Sequence, residues 1–377
     1  MSEPGGPARW HQDTHGRGAQ INPAGRFERL SLAVLPDHAG ADDLILIDDG
    51  PPGEGGERRI PTRVYRDRSR TFINPVDSPD LHFSWSINPY RGCEHGCIYC
   101  YARPTHETFG LSSGLDFETR LFAKTDGAEL LRRELAAPKW RGEPIMMSGI
   151  TDAYQPIERR LGITRACMEI MAACRQPVTI VTKSALILRD LDLLKQLADV
   201  GATGVAVSLT TLDPSLAAMM EPRASSPRER LRAIRELSSA GVPVMAMTAP
   251  IIPGLNDREI PALLEAAAEA GARGASFTLV RLPFQVKDLF LDWLRRRFPD
   301  RASHIETLIR ACRDGALNDS RFGRRMRGEG EIAGQIKRVF TVFKKRYGLD
   351  RPMAAVSSAA FRRPDPPADP AQPLLFP

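Results

Sequence analysis

The chain has 377 residues, 42% hydrophobic and 26% charged, which suits a folded protein with one large domain or two small ones. Six cysteines are too few for a disulfide scaffold, and no segment approaches the roughly 18 apolar residues needed to span a bilayer. The N-terminus, MSEPGGPARWHQDTHGRGAQ, lacks the apolar stretch of a signal peptide, so a cytoplasmic location with no membrane contact is expected. The net charge of +6 is uneven: residues 281–351 carry 18 Lys/Arg against 9 Asp/Glu, and the remainder is slightly acidic. That surplus fits either a nucleic-acid surface or a solvated helical face.

In chain order, residues 1–80 mix Gly, Pro and charge with only short apolar runs such as LILI (44–47), and read as a mobile or loosely attached arm. Residues 81–285 then alternate between two patterns. Apolar or β-branched runs at 83–87, 144–149, 178–182, 204–209, 243–248 and 274–280 read as buried parallel strands. Between them lie helical segments, several ending at Gly201, Gly241 or Gly271 where a left-handed cap is wanted. The alternation predicts an α/β fold with a parallel sheet, and the crossover rule permits a barrel or partial barrel as readily as an open sheet. Residues 286–351 are helical in pattern with a Gly/Arg-rich break, RFGRRMRGEG, at 321–330. Its Arg321, Arg324, Arg325 and Arg327 suit phosphate recognition, and the segment is expected to close the open side of the barrel and to help hold DNA or RNA. The last stretch, 352–377, is a proline-rich tail expected to be disordered.

In a barrel, reactive residues sit just after the strands. Here those positions hold Cys93, Cys97 and Cys100, then SGITDAYQP, then Lys183 and Ser184, then Ser208, Thr210 and Thr211, then APIIPGLND, then Arg281. Cys93, Cys97 and Cys100 are spaced Cys-x3-Cys-x2-Cys. Zinc would want a fourth donor, and His95 inside the loop is badly placed to complete a tetrahedron with all three thiolates. Three thiolates do suit a cubane cluster that leaves one iron open. Cys167, Cys174 and Cys312 look like core thiols.

The loop INPYRGCEHGCIYCYARP, with Tyr99 before the last cysteine, resembles the radical S-adenosylmethionine (SAM) superfamily, and within it the branch related to spore photoproduct lyase. The resemblance implies a partial (β/α)6 barrel of TIM type carrying a helical C-terminal extension. It also implies a 4Fe-4S cluster held by Cys93, Cys97 and Cys100, SAM chelated to the fourth iron, and reductive cleavage to a 5'-deoxyadenosyl radical that abstracts hydrogen from a substrate. A reductant such as flavodoxin or ferredoxin would supply the electron. Carried over by position, Ser148 and Gly149, with Thr151 and Asp152, would meet the SAM amino group; Lys183 would meet its carboxylate and Ser208 its ribose. Tyr99 would also border the cofactor, and PIIPGLND would face the adenine.

Each assignment has an ordinary alternative: a turn at SGITD, a surface lysine at 183, a strand-end hydroxyl at 208, and a helix cap at Asn256 or Asp257. In the lyases a further cysteine near the second strand returns hydrogen to the product radical. This chain has none between Cys100 and Cys167 and places Met146 and Met147 in that strand. Thymine-dimer repair is therefore not expected, and Tyr99, Tyr101 or Tyr154 remain as phenolic donors. The competing reading is a binding protein in which the cysteines hold a structural metal and the basic region holds nucleic acid.

Overall fold

The computed structural model describes residues 14–26, 43–48, 60–351 and 355–365. Its strands are β1 (Leu44–Asp48), β2 (Thr62–Arg66), β3 (Asn74–Pro75), β4 (Trp85–Ile87), β5 (Tyr90–Arg91), β6 (Arg120–Ala123), β7 (Ile145–Met147), β8 (Val178–Thr182), β9 (Thr203–Ser208), β10 (Val244–Ile251) and β11 (Gly274–Leu279).

The six apolar runs form the main sheet as β4, β7, β8, β9, β10 and β11, each parallel to the next in chain order. Among the described residues no ladder returns from β11 to β4, so the sheet is open. This singly wound order, each of the six parallel strands beside the one before it, places all six strand C-termini at one end. Helices return the chain between strands. Helix Pro227–Ser239 shows why they form: Ser226 caps it by accepting from Glu229 N, Pro227 opens it, and Arg230, Ala233, Ile234 and Leu237 fall on one buried face. Ile234 and Leu237 share a core with Val205, Val207, Val244 and Ala246. Each fully buried aliphatic side chain contributes about 2 kcal/mol.

Sequence patterns did not suggest the second sheet, ordered β1-β2-β6-β5. It brings β5 beside the cysteine loop, with β5 antiparallel and β2 parallel to β6. The arm also departs from expectation, because its described segments are built into the body. Gly18 N and Ala19 N donate to the buried Glu118 carboxylate at 3.0 and 2.8 Å, while Arg17 reaches Glu118 O, Ile60 O and Thr62 Oγ1 at 2.8, 2.8 and 2.9 Å. A buried carboxylate needs donors, and the glycine-rich strap supplies them from its backbone. The rest of residues 1–80 lies outside the described residues.

The helical region after residue 286 shares its core with the cysteine loop: Phe290, Trp293 and Ile305 pack in one cluster with Cys97, Ile98 and Tyr99. Beyond it, Leu279 N donates to Met326 O at 2.9 Å and Ala275 N to Leu349 O at 3.1 Å, so the C-terminal segment runs along the β11 edge. The proline-rich tail is ordered over 355–365, where Ser357 N donates to Gly201 O and Arg362 N to Cys174 O, both at 2.8 Å. Its backbone there is satisfied by the carbonyls at the ends of two helix connections. Residues 352–354 and 366–377 lie outside the described residues. No helix among the described residues is long and apolar enough to cross a membrane.

Candidate cofactor site

Cys93, Cys97 and Cys100 lie on the loop after β5, folded back on itself by Gly92 and Gly96 at φ 79° and 66°. Buried side chains clamp this loop from every side. Arg103 Nε donates to Cys97 O at 2.9 Å and its Nη2 pairs with Glu118 at 2.5 Å. Glu94 accepts from Thr62 Oγ1 and Arg223, each at 2.8 Å, and Ile98 N donates to Met220 O at 3.0 Å.

Cys93, Cys97, Cys100, Tyr101, Ser148, Gly149, Thr151, Asp152, Lys183 and Ser208 line a single cavity. The structure thus brings these positions together, although their roles divide. Ser148 adopts φ 82°, a left-handed backbone that a non-glycine residue holds only under constraint; its Oγ accepts from Ala153 N at 2.9 Å. Tyr101 Oη donates to Gly149 O at 2.7 Å, and Asn88 Oδ1 accepts from Ile150 N at 3.0 Å. Both contacts fix the backbone of this turn.

Thr151 and Asp152 act as braces. Thr151 Oγ1 donates to Gly92 O at 2.6 Å. Asp152 accepts from Thr182 Oγ1 and Lys183 N at 2.8 Å each and from Tyr154 N at 2.9 Å, and it lies 3.4 Å from His95 Nδ1. Burial alone would raise its carboxyl, but the His95 ring and these donors overcome it and hold Asp152 at about 2. With its acceptor sites filled, the carboxylate locks the cysteine loop to the ends of β7 and β8. His95, passed over in the sequence except as a poor zinc ligand, is the partner that makes this possible.

Lys183 and Ser208 differ from the braces. Lys183 stands 5.8 Å from the centre of the Tyr99 ring, and among the described residues its ammonium pairs with no carboxylate. The Ser208 hydroxyl lines the cavity without a partner among the described residues. Both can meet a bound polar ligand.

Tyr99 is a correction. Its phenol is turned away from the cavity and donates to the buried Glu221, which also accepts from Thr210 Oγ1 at 2.9 Å and pairs with Arg230. Burial lifts the Glu221 carboxyl above its usual value even against the Arg230 guanidinium, so this carboxylate requires all its donors. Tyr154 is also fully buried and is held far from ionisation by burial and the nearby Asp190. Of the three phenols considered as hydrogen donors, only Tyr101, 47% exposed, reaches the cavity. Asn256 differs from its expected capping role: its side chain turns back, accepting from Ile252 N at 2.7 Å and donating to Thr210 O and Pro250 O at 2.8 and 3.1 Å.

The donor set fits an iron-sulfur cluster better than a single ion. Cys93, Cys97 and Cys100 share one cavity, and no fourth cysteine among the described residues lines it. A cluster spreads its thiolates over separate irons. Burial pushes the Cys93 and Cys97 thiols up, and a bound cation would favour their thiolates.

The Gly/Arg-rich break does not present the four free guanidinium groups expected of a polyanion surface. Arg321 pairs with Asp314 and Asp319 at 3.1 and 2.8 Å, Arg324 with Asp314 at 2.9 Å and with Glu329, and Arg325 with Asp80 at 2.5 Å. Asp314 and Asp319 just upstream, Glu329 just downstream and the distant Asp80 neutralise them, and of the four only Arg327 has no carboxylate partner among the described residues.

A family model described as the radical SAM superfamily matches residues 87–267. An uncharacterized protein of Mycobacterium tuberculosis is 38% identical over 244 residues, covering 64% of this chain and 72% of that one. One of Methanocaldococcus jannaschii is 30% identical over 196 residues, covering 52% and 70%. Among solved structures, a spore photoproduct lyase mutant superposes with a TM-score of 0.54 at 19% identity, over 76% of this chain and 80% of that one. A second mutant, with bound AdoMet and dinucleoside spore photoproduct, gives 0.52 at 18% identity over 75% and 79%. At such identities the likeness is one of fold. With its three-cysteine loop at the head of a parallel sheet, the chain is an enzyme of the radical SAM superfamily.

Proposed function

We propose that Cys93, Cys97 and Cys100 hold a 4Fe-4S cluster and that the adjoining cavity binds SAM. The observation that carries this reading is the convergence of these thiols with Ser148, Gly149, Lys183 and Ser208 on one cavity at the strand C-termini. When bound, the cluster and SAM together supply one-electron cleavage of the sulfonium and abstraction of a hydrogen atom from substrate, with flavodoxin or ferredoxin as the class of electron donor. The chain's own residues do the positioning. Lys183, a half-buried ammonium with no carboxylate partner among the described residues, binds the SAM carboxylate. The Ser148–Gly149 turn, held left-handed by its neighbours, offers backbone and hydroxyl acceptors to the amino group, and Ser208 offers its hydroxyl to the ribose. Asp152 and His95 keep the cysteine loop in register with these groups. Tyr101, bonded to Gly149 O at the cavity rim, limits water entry and is the phenol placed to return a hydrogen atom.

The test is anaerobic. Reconstituted protein is given dithionite and SAM, and 5'-deoxyadenosine is measured by mass spectrometry beside a Cys97→Ala control. Product that disappears in the control supports the reading; a loaded cluster with no SAM binding by titration removes it.

A further inference from the structure

The end of β11 holds a cation that the cofactor reading leaves unused. Arg281, two residues past Leu279, lays its guanidinium 4.3 Å from the centre of the Tyr101 ring. Tyr101 borders the cofactor cavity on that side. On the other side stands Asp80, which faces Arg281 but is already committed to Gly323 N at 2.6 Å and Arg325 Nε at 2.5 Å. No ion pair joins Arg281 to a carboxylate among the described residues. A half-buried guanidinium with a ring beneath it and its N–H groups free is poorly compensated unless an anion arrives.

Asp80 is also a wall of a second cavity, of about 710 Å³, at the open edge of the sheet. That volume lies within the range of roughly 300–1,000 Å³ typical of ligand sites. Met247 of β10 and Phe277 of β11 give it an apolar floor, while Arg327, Lys337 and Lys344 stand around it with no carboxylate partner among the described residues. Arg321, Arg324 and Arg325, by contrast, are tied to acids.

We infer that the cavity at the β11 edge is the substrate site, and that it takes an organic oxyanion: a molecule whose apolar or aromatic body lies on Met247 and Phe277 and whose phosphate or carboxylate reaches past the Asp80 wall to Arg281, which faces Asp80 but is not itself part of the cavity lining. Arg281 is thus the specificity-determining residue for the anionic group. A guanidinium fork matches either oxyanion with two parallel hydrogen bonds, and the Tyr101 ring fixes its plane. The inference rests on the radical SAM reading for what the substrate undergoes, but the binding itself does not depend on it.

Calorimetric titration of the reconstituted protein, with SAM present, tests this using phenyl phosphate, phenylacetate and neutral phenol as probes. Either anion should bind, phenol should not, and the preferred anion distinguishes the two oxyanion sources. Arg281→Gln should weaken anion binding about tenfold or more, the usual scale for one charged hydrogen-bonding partner, while Arg281→Lys retains part of it. Arg321→Gln should leave it unchanged. Because no side-chain hydrogen bond or ion pair of Arg281 occurs among the described residues, its replacement orphans no buried partner among them. Equal binding of phenol and the anions, or an unchanged Arg281→Gln titration, overturns the inference. Anion binding that needs Arg281 in a protein yielding no 5'-deoxyadenosine would instead remove the proposed function and leave the site standing.

Discussion

Replacing Gly18 by alanine tests whether the N-terminal strap is a wall of the cysteine loop. A Cβ at Gly18 would lie 1.8 Å from Gly96 O and 3.0 Å from Gly96 C. An ordinary carbon–oxygen approach is about 3.3 Å, so one backbone must retreat by about 1.5 Å. Gly96 has little slack, since it sits at φ 66° between two of the three cysteines with Glu118 and Pro222 against it. If the strap yields, Glu118 loses the Gly18 and Ala19 amides and becomes an underpaired buried carboxylate. Overpacking costs about 1–3 kcal/mol, and one lost hydrogen bond to a buried charge about 1.5–3 kcal/mol. The expected destabilisation is therefore about 2.5–6 kcal/mol, several degrees or more in Tm. Circular-dichroism melting of the cluster-free protein measures it, and iron bound after anaerobic reconstitution reports whether the loop has moved. Gly25→Ala is the control, because a Cβ there meets nothing within 4 Å. A Gly18→Ala protein that melts within a degree of the control and binds equal iron would refute the reasoning.

Lys183→Ala should weaken SAM binding about tenfold or more without changing iron content; equal loss of both would mean that Lys183 supports the loop and not the ligand. Burial holds the His106 imidazole down to about 4, with Nε2 donating to Arg120 O at 2.8 Å. Unfolding therefore takes up a proton below the unfolded value near 6.5, so His106 contributes fully above pH 6.5 and its contribution fades as pH falls to 4, by about 3 kcal/mol. The pH profile of Tm should lose that slope in His106→Gln. In Tyr99→Phe the buried Glu221 loses a donor, which should lower stability by about 1–2 kcal/mol while leaving the kinetics of hydrogen transfer alone; the reverse pattern is expected for Tyr101→Phe.

Elements whose signal is local were legible. VTIVT at 178–182 is β8 to the residue, and the other five apolar runs fall on strands within a few residues, because a doubly covered strand must be apolar along its length. The three cysteines, Lys183 and Ser208 were found because strand C-termini are marked by the runs that precede them. Side chains whose meaning is set by distant partners were missed. Arg230 sits in SPRERLRAIRE, which reads as a solvated charged face, yet it is 1% exposed and neutralises Glu221. Glu118 gives no sign in sequence that residues 17–19, a hundred positions earlier, will satisfy it. The pairing within the Arg321–Arg327 run was illegible for the same reason, since charge composition does not show which acid folds back onto which base.

The treatment of the sheet edges bears on how the protein behaves among its own copies. An uncovered edge strand is a template for another chain. Here β11 has its Ala275 and Leu279 amides taken by Leu349 and Met326, and the opposite edge ends in β3, two residues long and closed by Pro75. The C-terminal segment thus occupies the side of β11 on which another strand could pair. A chain cut short of residue 326 would bare the β11 edge and invite ordered self-association through it.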